Sequence, residues 1–197
     1  MIALGLTGSI ATGKSTVLAA FKNLGVPVFS ADAAVAELYA GEAVEPVAAL
    51  FPGVATDGQI DRQKLAQRLA ADPALFQKLE AVVHPLVRAR IKDFLQGQEA
   101  AGEALAVVEV PLLFESGYDY GFDAIAVTYV DEAVQRQRAL ARPGMTVEKL
   151  DAILARQLPQ AEKKRRADYL FETGKGEDQT RAAIAALVGA IRDRKTD

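Results

Sequence analysis

Continuous apolar runs alternate with amphipathic segments at both ends of the chain. Short apolar runs predict strands that are buried on both faces, as in a parallel sheet. These runs lie at residues 2–7, 26–32, 105–110, 123–130 and 169–172. Apolar residues at helical spacing predict helices at residues 15–24, 33–39, 133–142, 147–158, 161–167 and 179–192. Strands that alternate with helices in this order predict an α/β fold with a parallel sheet.

The strand pattern disappears between residues 42 and 98. Helical segments replace it at residues 44–50, 62–70, 73–83 and 85–96, separated by turn dipeptides such as Asp57-Gly58. A crossover between two parallel strands needs only one helix. The stretch therefore predicts an inserted helical subdomain, which is a natural place for a second substrate. A chain of 197 residues fits one α/β domain with insertions better than two independent domains.

The sequence between the first predicted strand and helix is Gly8-Ser9-Ile10-Ala11-Thr12-Gly13-Lys14-Ser15. It matches G-x-x-x-x-G-K-[ST], in which glycines let successive backbone N–H groups curl around a phosphate. Lys14 can reach the outer phosphates, and the Ser15 hydroxyl can bind Mg²⁺. The helix that follows favours an anion at its N-terminus. We expect the nucleotide phosphates at Gly8, Ala11, Thr12, Gly13, Lys14, Ser15 and Thr16.

Asp32 closes the second predicted strand, at the sheet edge where parallel α/β proteins bind ligands. A carboxylate there could orient or deprotonate an attacking hydroxyl, or hold Mg²⁺ through water. Aspartate is also a favoured N-cap, and the helix predicted at 33–39 follows at once. The residue pattern gives these two interpretations of Asp32 equal weight.

Composition and charge narrow the class of protein. Half of the residues are apolar, which is ordinary for a globular protein. The net charge of −3 argues against a general nucleic-acid or membrane-surface binder. The absence of cysteine excludes disulfides, thiolate metal sites and cysteine nucleophiles. The sequence has no transmembrane run and no signal-peptide pattern, so we expect a cytoplasmic protein that binds neither nucleic acid nor membrane.

Several titratable residues have both a structural and a functional interpretation. His84 is the only histidine, and before Pro85 it is more often a structural residue at a helix start than a catalytic one. Arg88 could meet phosphate groups or be a solvated surface charge. Glu109 ends an apolar strand and Glu115 lies beyond it, and P-loop enzymes often keep a carboxylate near the metal there. An exposed acid at a helix start is the alternative for Glu115.

Residues 136–167 are rich in cations. They include Arg136, Arg138, Arg142, Lys149, Arg156, Lys163, Lys164, Arg165 and Arg166. Such a cluster is usually a solvated face and less often a nucleic-acid surface. In a P-loop kinase it is also typical of a mobile lid, whose arginines close over the transferred phosphoryl group.

Two other P-loop classes are excluded by their motifs. The single asparagine, Asn23, lies in the first predicted helix and cannot complete the Asn-Lys-x-Asp motif of G proteins. The LSGGQ motif of transporter ATPases is also absent. The lengths of the insertion and of the cationic segment suit a small-molecule kinase.

A series of motifs follows the phosphate loop along the chain. In order they are Leu6 to Thr16, Ala31-Asp32, His84-Pro85, Val110-Pro111-Leu112-Leu113-Phe114-Glu115, Gln135 to Arg138 with Arg142, Arg156-Gln157, and Lys164 to Asp168 before Tyr169. Across nearly the whole chain these motifs resemble the dephospho-CoA kinase family. The resemblance implies ATP-dependent phosphorylation of the ribose 3′-hydroxyl of dephospho-CoA, the last step of coenzyme A synthesis.

The resemblance also implies a domain organisation and a set of site residues. It implies a three-layer P-loop core with a parallel sheet at about 1–32, 103–135 and 168–197, a helical CoA-binding insertion at about 33–102 and a helical lid at about 136–167. The implied catalytic residues are Lys14, Asp32 and Arg142. The implied contacts of dephospho-CoA are Asp32, His84, Arg88, Glu115 and Arg138. Ser15 is the implied ligand of Mg²⁺, partly through water, with ATP as co-substrate.

The chain departs from the usual motifs of the family at three places. Its loop has Ser9-Ile10-Ala11-Thr12 where the family usually has Gly-Ile-Gly-Ser, and we expect small side chains there to be tolerated if the local torsions suit an L-residue. Ser30 stands where many members have a second aspartate, which favours Asp32 as the catalytic carboxylate. Thr173 replaces an asparagine that is common after the last strand.

Two rival functions share part of this pattern. Another small-molecule kinase, of the nucleoside or shikimate type, would share the loop, Mg²⁺ and lid and would differ only in its acceptor. A nucleotide-dependent switch would hydrolyse ATP slowly to regulate a partner. The switch does not account for the acceptor-sized insertion or for the arginine-rich segment.

Overall fold

Five strands form the central sheet of the computed structural model, which describes residues 1–72 and 74–196. The strands of the chain are β1 (Ile2–Gly8), β2 (Val28–Ser30), β3 (Ala55–Thr56), β4 (Gln59–Ile60), β5 (Leu105–Glu109), β6 (Ala124–Tyr129) and β7 (Tyr169–Glu172). The sheet has the order β2-β5-β1-β6-β7, with β1 parallel to β5 and β6, and β6 parallel to β7. Because β1 is the middle strand, the phosphate loop leaves the sheet at its centre.

The helices of the described residues connect these strands. They are α1 (Lys14–Asn23), α2 (Ala31–Leu38), α3 (Val44–Leu50), α4 (Arg62–Ala71), α5 (Leu75–Ala100), α6 (Glu132–Leu140), α7 (Val147–Leu154), α8 (Gln160–Arg165) and α9 (Glu177–Thr196). The chain divides into two compact units: Ser30–Phe94, here called the helical unit, and Met1–Phe29 with the chain from Leu95 onward, the sheet unit. The predicted parallel α/β fold is confirmed.

The apolar core of the sheet unit fixes the two elements that flank the phosphate loop. Leu4 and Leu6 of β1 and Phe21 of α1 are fully buried. The Phe21 ring meets the Phe171 ring of β7 edge to face, with 5.9 Å between the centroids, and Ile184 of α9 belongs to the same core. Burying a large apolar side chain stabilises a fold by about 1.5–3 kcal/mol. β1 and α1 are therefore held firmly on either side of the loop.

The helical unit contains α2, α3, α4, most of α5 and a hairpin formed by β3 and β4. Asp57 and Gly58 have φ angles of 50° and 74°, and a two-residue hairpin turn of the primed type requires positive values at both positions. The expectation of helix alone between residues 42 and 98 was wrong at this hairpin. Strands of two residues are too short to show an apolar alternation in the sequence.

Helix α5 runs unbroken from Leu75 to Ala100 and contains Pro85. The prediction of two helices, 73–83 and 85–96, was wrong about the break, and Pro73 lies outside the described residues. A proline inside a helix removes one hydrogen bond and costs about 3 kcal/mol. The side chains that α5 buries on both sides of the proline are Leu79, Val83, Val87 and Ile91. Their four-residue spacing forms one apolar stripe, whose burial offsets the cost of the proline.

Most other predicted elements are present with shifted ends. The strand predicted at 26–32 ends at Ser30, and α2 begins immediately after it. The helix predicted at 147–158 ends at Leu154. Gln157 and Leu158 therefore lie in an irregular segment before α8, where Gln157 accepts a hydrogen bond from Ile10 N and Leu158 N donates to Glu115.

Candidate active site

The phosphate loop joins the end of β1 to the start of α1. β1 ends at Gly8 and α1 begins at Lys14, with Gly13 as its N-cap. Because glycine has no side chain, the N-cap cannot satisfy the first N–H groups of the helix. N–H groups at a helix start, aligned with the positive end of the helix dipole, form a site for an anion.

Two glycines of the loop have no room for a side chain. A Cβ atom on Gly8 would lie 2.2 Å from Thr128 Oγ1, and one on Gly13 would lie 2.9 Å from Thr173 Cγ2. Gly13 also has a φ of 87°, a value that L-residues rarely adopt. Both glycines of the motif are thus required by close packing as well as by backbone conformation.

Ala11 occupies the left-handed region, with a φ of 61°. We expected small side chains in the loop to be tolerated if the local torsions suit an L-residue. The torsions at Ala11 do not. A left-handed conformation costs an L-residue roughly 1–2 kcal/mol. Ala11 is also buried, so contacts around the loop hold it in this conformation.

Lys14 and Ser15 have the positions that the motif requires. Lys14 Nζ donates to the carbonyl oxygens of Gly8 and Ser9 at 2.8 and 3.1 Å, so its ammonium group lies over the loop. Ser15 lies in the first turn of α1 and is exposed to solvent. Its hydroxyl is therefore accessible to a metal ion at the phosphates.

Threonine side chains form hydrogen bonds with the backbone of the loop. Thr12 Oγ1 donates to Ser9 O at 2.8 Å and shares a second hydrogen bond of 2.8 Å with Thr128 Oγ1. Thr173 Oγ1 donates to Thr12 O at 2.9 Å. Arg138 donates from Nη1 to Thr173 Oγ1 at 3.0 Å and from Nη2 to Thr173 O at 2.9 Å. The residue that replaces the family's asparagine thus links Arg138 to the loop.

Glutamine side chains also form hydrogen bonds with the backbone of the loop, and the sequence does not indicate this role. Gln135 Nε2 donates to Ile10 O at 2.8 Å, and Ile10 N donates to Gln157 Oε1 at 3.0 Å. Gln160 Nε2 donates to Gln135 Oε1 at 2.8 Å. In the sequence, Gln135 and Gln157 belong to the motifs Gln135 to Arg138 and Arg156-Gln157. A motif match does not show which backbone group a side chain contacts.

Glu115 and Lys163 form a buried ion pair. Lys163 Nζ lies 2.8 Å from Glu115 Oε1, and the same oxygen accepts a hydrogen bond from Leu158 N at 2.8 Å. Lys163 has no exposed side-chain surface. The interpretation of this basic segment as a solvated face was therefore wrong at Lys163, and so was that of Glu115 as an exposed acid. Glu109, the last residue of β5, is also buried.

Asp32 lies in the first turn of α2 and is exposed. The N-cap of α2 is Ser30, whose side chain accepts a hydrogen bond from Ala33 N at 3.4 Å. The interpretation of Asp32 as the N-cap was therefore wrong, because the helix begins two residues earlier than the sequence suggested. A carboxylate in the first turn still interacts favourably with the helix dipole.

Asp32 lines a cavity of about 370 Å³ within the helical unit. The other lining residues are Val35, Tyr39, Arg62, Leu65, Ala66, Leu69 and Leu79. The Arg62 guanidinium lies over the Tyr39 ring, 5.7 Å from its centroid. Burial raises the pKa of Tyr39 above its usual value, and the charge of Arg62 partly opposes this shift. The cavity thus combines aliphatic walls with one carboxylate, one phenol and one guanidinium.

The remaining predicted site residues lie on helices or turns. His84 is exposed in the middle of α5, so it does not mark a helix start, and Arg88 is half-buried one turn later. Arg142 is exposed in the turn between α6 and α7. Asp32, His84 and Arg88 belong to the helical unit, and the loop, Glu115, Arg138 and Arg142 belong to the sheet unit.

A phosphate loop after the middle strand of a parallel sheet, followed by a helix with a glycine N-cap and a lysine over the loop, defines a P-loop nucleotide-binding protein. The family model for dephospho-CoA kinase matches residues 2–178, and the chain belongs to the dephospho-CoA kinase family. It is therefore a kinase, and the resemblance seen in its motifs is confirmed.

Individual relatives and solved structures are similar to this chain over nearly its whole length. The dephospho-CoA kinase of Rhodopseudomonas palustris (strain HaA2) is 50% identical over 190 residues, which cover 96% of each chain. The crystal structure of TT1252 from Thermus thermophilus is similar with a TM-score of 0.79 and 36% identity, over 95% of this chain and 97% of that one. The dephospho-CoA kinase from Campylobacter jejuni is similar with a TM-score of 0.74 and 26% identity, over 98% of each chain.

Neither a cluster of metal ligands nor a membrane-spanning helix is present in the described residues. Nowhere in them do three or more histidine, aspartate or glutamate side chains gather as a metal site would require. None of the helices in this part of the chain combines the length and the apolar character that a bilayer span needs.

Proposed function

We propose that this chain transfers the γ-phosphoryl group of ATP to the ribose 3′-hydroxyl of dephospho-CoA by in-line displacement. The hydroxyl oxygen forms a bond to the γ-phosphorus while the bond to the bridging oxygen of ADP breaks. The observation that carries the proposal is the phosphate loop, with Lys14 over it, in a chain of the dephospho-CoA kinase family. Phosphoryl transfer depends mainly on positioning and on charge stabilisation, which such a loop supplies.

The β- and γ-phosphates of ATP bind to the loop from Gly8 to Thr16. The uncapped N–H groups at the start of α1 donate to phosphate oxygens, and Lys14 exchanges its loop carbonyls for the phosphates. Its positive charge then stabilises the negative charge that develops on the transferred group and on ADP.

Mg²⁺ fits the donor set near the loop. Mg²⁺ is usually bound by one or two protein oxygens together with substrate phosphates and waters, and does not require a cage of carboxylates. The exposed Ser15 hydroxyl offers one such oxygen. Ser15 would hold the Mg²⁺ ion, whose positive charge would neutralise the negative charge of the phosphates.

The acceptor binds in the helical unit, in the cavity that Asp32 lines. Asp32 accepts or orients the proton of the 3′-hydroxyl. Because the adenine is attached to the same ribose, we place it against the Tyr39 and Arg62 side chains, whose flat faces suit a heteroaromatic ring. His84 and Arg88 of α5 belong to the same acceptor-binding insertion, predicted at about 33–102.

Arg142 acts from the lid predicted at about 136–167. It is exposed in a turn, where a change of backbone torsions can carry it towards the phosphates. Arg138 and Glu115 take part indirectly in this proposal, because Arg138 donates to Thr173 and Glu115 pairs with Lys163. The predictions of a cytoplasmic location and of no nucleic-acid or membrane partner are part of the same proposal.

The test is ADP release from MgATP with and without dephospho-CoA, in the wild type and in Asp32→Asn. Glu45→Gln is the matched control, because Glu45 is an exposed acid in the first turn of α3. We expect dephospho-CoA to stimulate ADP release strongly in the wild type and in Glu45→Gln but not in Asp32→Asn, although the Asp32 variant still binds ATP.

Other outcomes separate the rival functions. Stimulation by shikimate or a nucleoside in place of dephospho-CoA would favour another small-molecule kinase. A slow ATPase rate that no acceptor changes would favour a nucleotide-dependent switch. Stimulation by dephospho-CoA that survives in Asp32→Asn would remove Asp32 from the mechanism.

A further inference from the structure

A chain of hydrogen bonds from the sheet unit ends on the carbonyl group of Ile10 in the phosphate loop. Val130 N donates to Gln160 Oε1 at 3.1 Å, Gln160 Nε2 donates to Gln135 Oε1 at 2.8 Å, and Gln135 Nε2 donates to Ile10 O at 2.8 Å. A backbone N–H can only donate and a carbonyl can only accept. The two ends of the chain therefore fix the orientation of both side-chain amides between them.

Gln135 is placed for this contact by α6. The helix begins after Asp131, whose side chain caps Ala133 N, and the residues that it buries are Gln135 and Ala139. These two are four residues apart and so lie on the same face. Gln135 is only 4% exposed. A buried amide needs its hydrogen bonds satisfied, so Gln135 can hardly leave Ile10 without losing stability.

The bond from Gln135 acts on the one strained non-glycine position of the loop. Ile10 O belongs to the peptide group that joins Ile10 to Ala11, and Ala11 has a φ of 61°. The peptide is planar and trans, so a donor that holds its carbonyl also turns the Ala11 N–H to the opposite side. An L-residue stays in the left-handed region only where its surroundings hold it there.

The left-handed conformation of Ala11 contributes to the shape of the phosphate site. Ala11 and Gly13 both have positive φ, at 61° and 87°, while Thr12 between them does not. Alternation of right- and left-handed residues turns successive N–H groups into a concave nest for an anion. If Ala11 relaxed to a negative φ, the alternation of negative and positive φ along the loop would be lost.

We infer that Gln135 is a positioning residue for ATP: it holds the Ile10–Ala11 peptide in the orientation that the phosphate nest requires, without touching the nucleotide. The inference rests on the proposed binding of ATP phosphates at this loop. Gln160 orients Gln135 by donating a hydrogen bond to its Oε1. Gln157 Oε1 accepts a hydrogen bond from Ile10 N at 3.0 Å.

The test is a double-mutant cycle between Gln135→Met and Ala11→Gly, read out as the Kd of ATP without acceptor. Methionine keeps the length of glutamine but cannot donate a hydrogen bond. With Ala11 present, we expect Gln135→Met to weaken ATP binding roughly tenfold, because the left-handed conformation is then no longer held. Glycine adopts positive φ without strain, so in the Ala11→Gly background the same change should weaken binding roughly threefold or less.

Controls separate this role from a general loss of stability. Gln137→Met, on the exposed face of the same helix, should leave the Kd of ATP unchanged. If Gln135→Met does not fold, Gln160→Met takes its place in the cycle, since it removes the donor that orients Gln135. We expect the same dependence on Ala11 with a smaller loss.

Two failures of the experiment are distinguishable. An equal loss of ATP affinity with Ala11 present and in the Ala11→Gly background would overturn the inference, because a merely structural role of Gln135 does not depend on the torsion of Ala11. A wild-type protein that binds no ATP would instead overturn the proposed function.

Discussion

The buried ion pair between Lys163 and Glu115 gives a sharp test of what holds the segment before α8. Lys163 has no exposed side-chain surface and Glu115 is 13% exposed. Lys163→Met would remove the positive charge and leave the Glu115 carboxylate buried with Leu158 N as its remaining partner on Oε1. In the described residues, Glu115 Oε2 has no hydrogen-bond partner. The carboxylate therefore has little left to replace the water that it lost on folding.

The expected loss of stability follows from burial. Removing one partner of a buried ion pair costs about 3–5 kcal/mol, because an uncompensated charge stays inside the protein. That is a large share of a total stability of about 5–15 kcal/mol. For a chain of this size each kcal/mol lowers Tm by about 2–4 °C, so Lys163→Met should lower Tm by roughly 6–20 °C.

The assay is thermal unfolding, repeated by denaturant titration, on three variants. Glu115→Gln/Lys163→Met should recover at least half of the lost Tm, because the glutamine carries no charge and keeps an oxygen for Leu158 N. The matched control is Lys175→Met, which breaks the Lys175–Glu172 pair, whose side chains are 62% and 33% exposed. We expect little change in Tm from this control, because solvent screens an exposed pair.

The result that would refute the reasoning is a Lys163→Met variant as stable as Lys175→Met. It would mean that Glu115 finds water or another partner when Lys163 is removed. A double variant less stable than Lys163→Met alone would refute the argument from the uncompensated charge, since it removes that charge.

Three further predictions concern the site. Arg142→Ala should lower kcat far more than it weakens ATP binding, since catalytic arginines elsewhere are worth about 10³–10⁵ in rate. Steady-state kinetics and a Kd measurement for ATP test this prediction. A near-normal kcat would show that Arg142 does not act from a lid. Gly13→Ala should abolish ATP binding, because the added Cβ would clash with Thr173. Gly53→Ala is the control: its φ is 85° and no atom lies within 4 Å of the added Cβ, so it should affect stability alone. Arg62→Gln should raise both the KM for dephospho-CoA and the already raised pKa of Tyr39, so ultraviolet titration should show its tyrosinate forming later than in the wild type. Because folding favours the protonated phenol, the contribution of Tyr39 to stability is complete below about pH 10 and is lost as the pH rises through the raised pKa.

The three inner strands of the sheet, β5, β1 and β6, could be predicted from the sequence because most of their residues are apolar and buried. A short, continuous apolar run such as that of β5 is typical of a strand that is covered on both faces. The path of α5 could not be predicted, because the local cost of Pro85 indicates a break and only the burial of the stripe on both sides of it decides otherwise. Local rules failed where long-range packing had the larger free energy.

Some residues of the active site could likewise be located from the sequence, and others could not. Lys14 and Ser15 could be located because the chemistry of a phosphate loop fixes their spacing within a few residues. Gln135 could not be assigned a role, since its partner Ile10 is 125 residues away in the chain and α6 would be helical with many other residues at that position. The same is true of Lys163, which stands in a run of cations and is the one of them whose side chain is fully buried against Glu115.

The loop itself shows why these distant residues matter in this chain. With alanine at position 11 and threonine at position 12, the loop has fewer glycines than the family usually has, and its backbone must be held in shape from outside. The Thr12 hydroxyl stabilises the loop through hydrogen bonds with Ser9 and Thr128. Gln135 stabilises it by holding the peptide before Ala11. It follows that a relative with glycine at position 11 should tolerate loss of the equivalent glutamine better than this chain does, because its loop reaches the same conformation without strain.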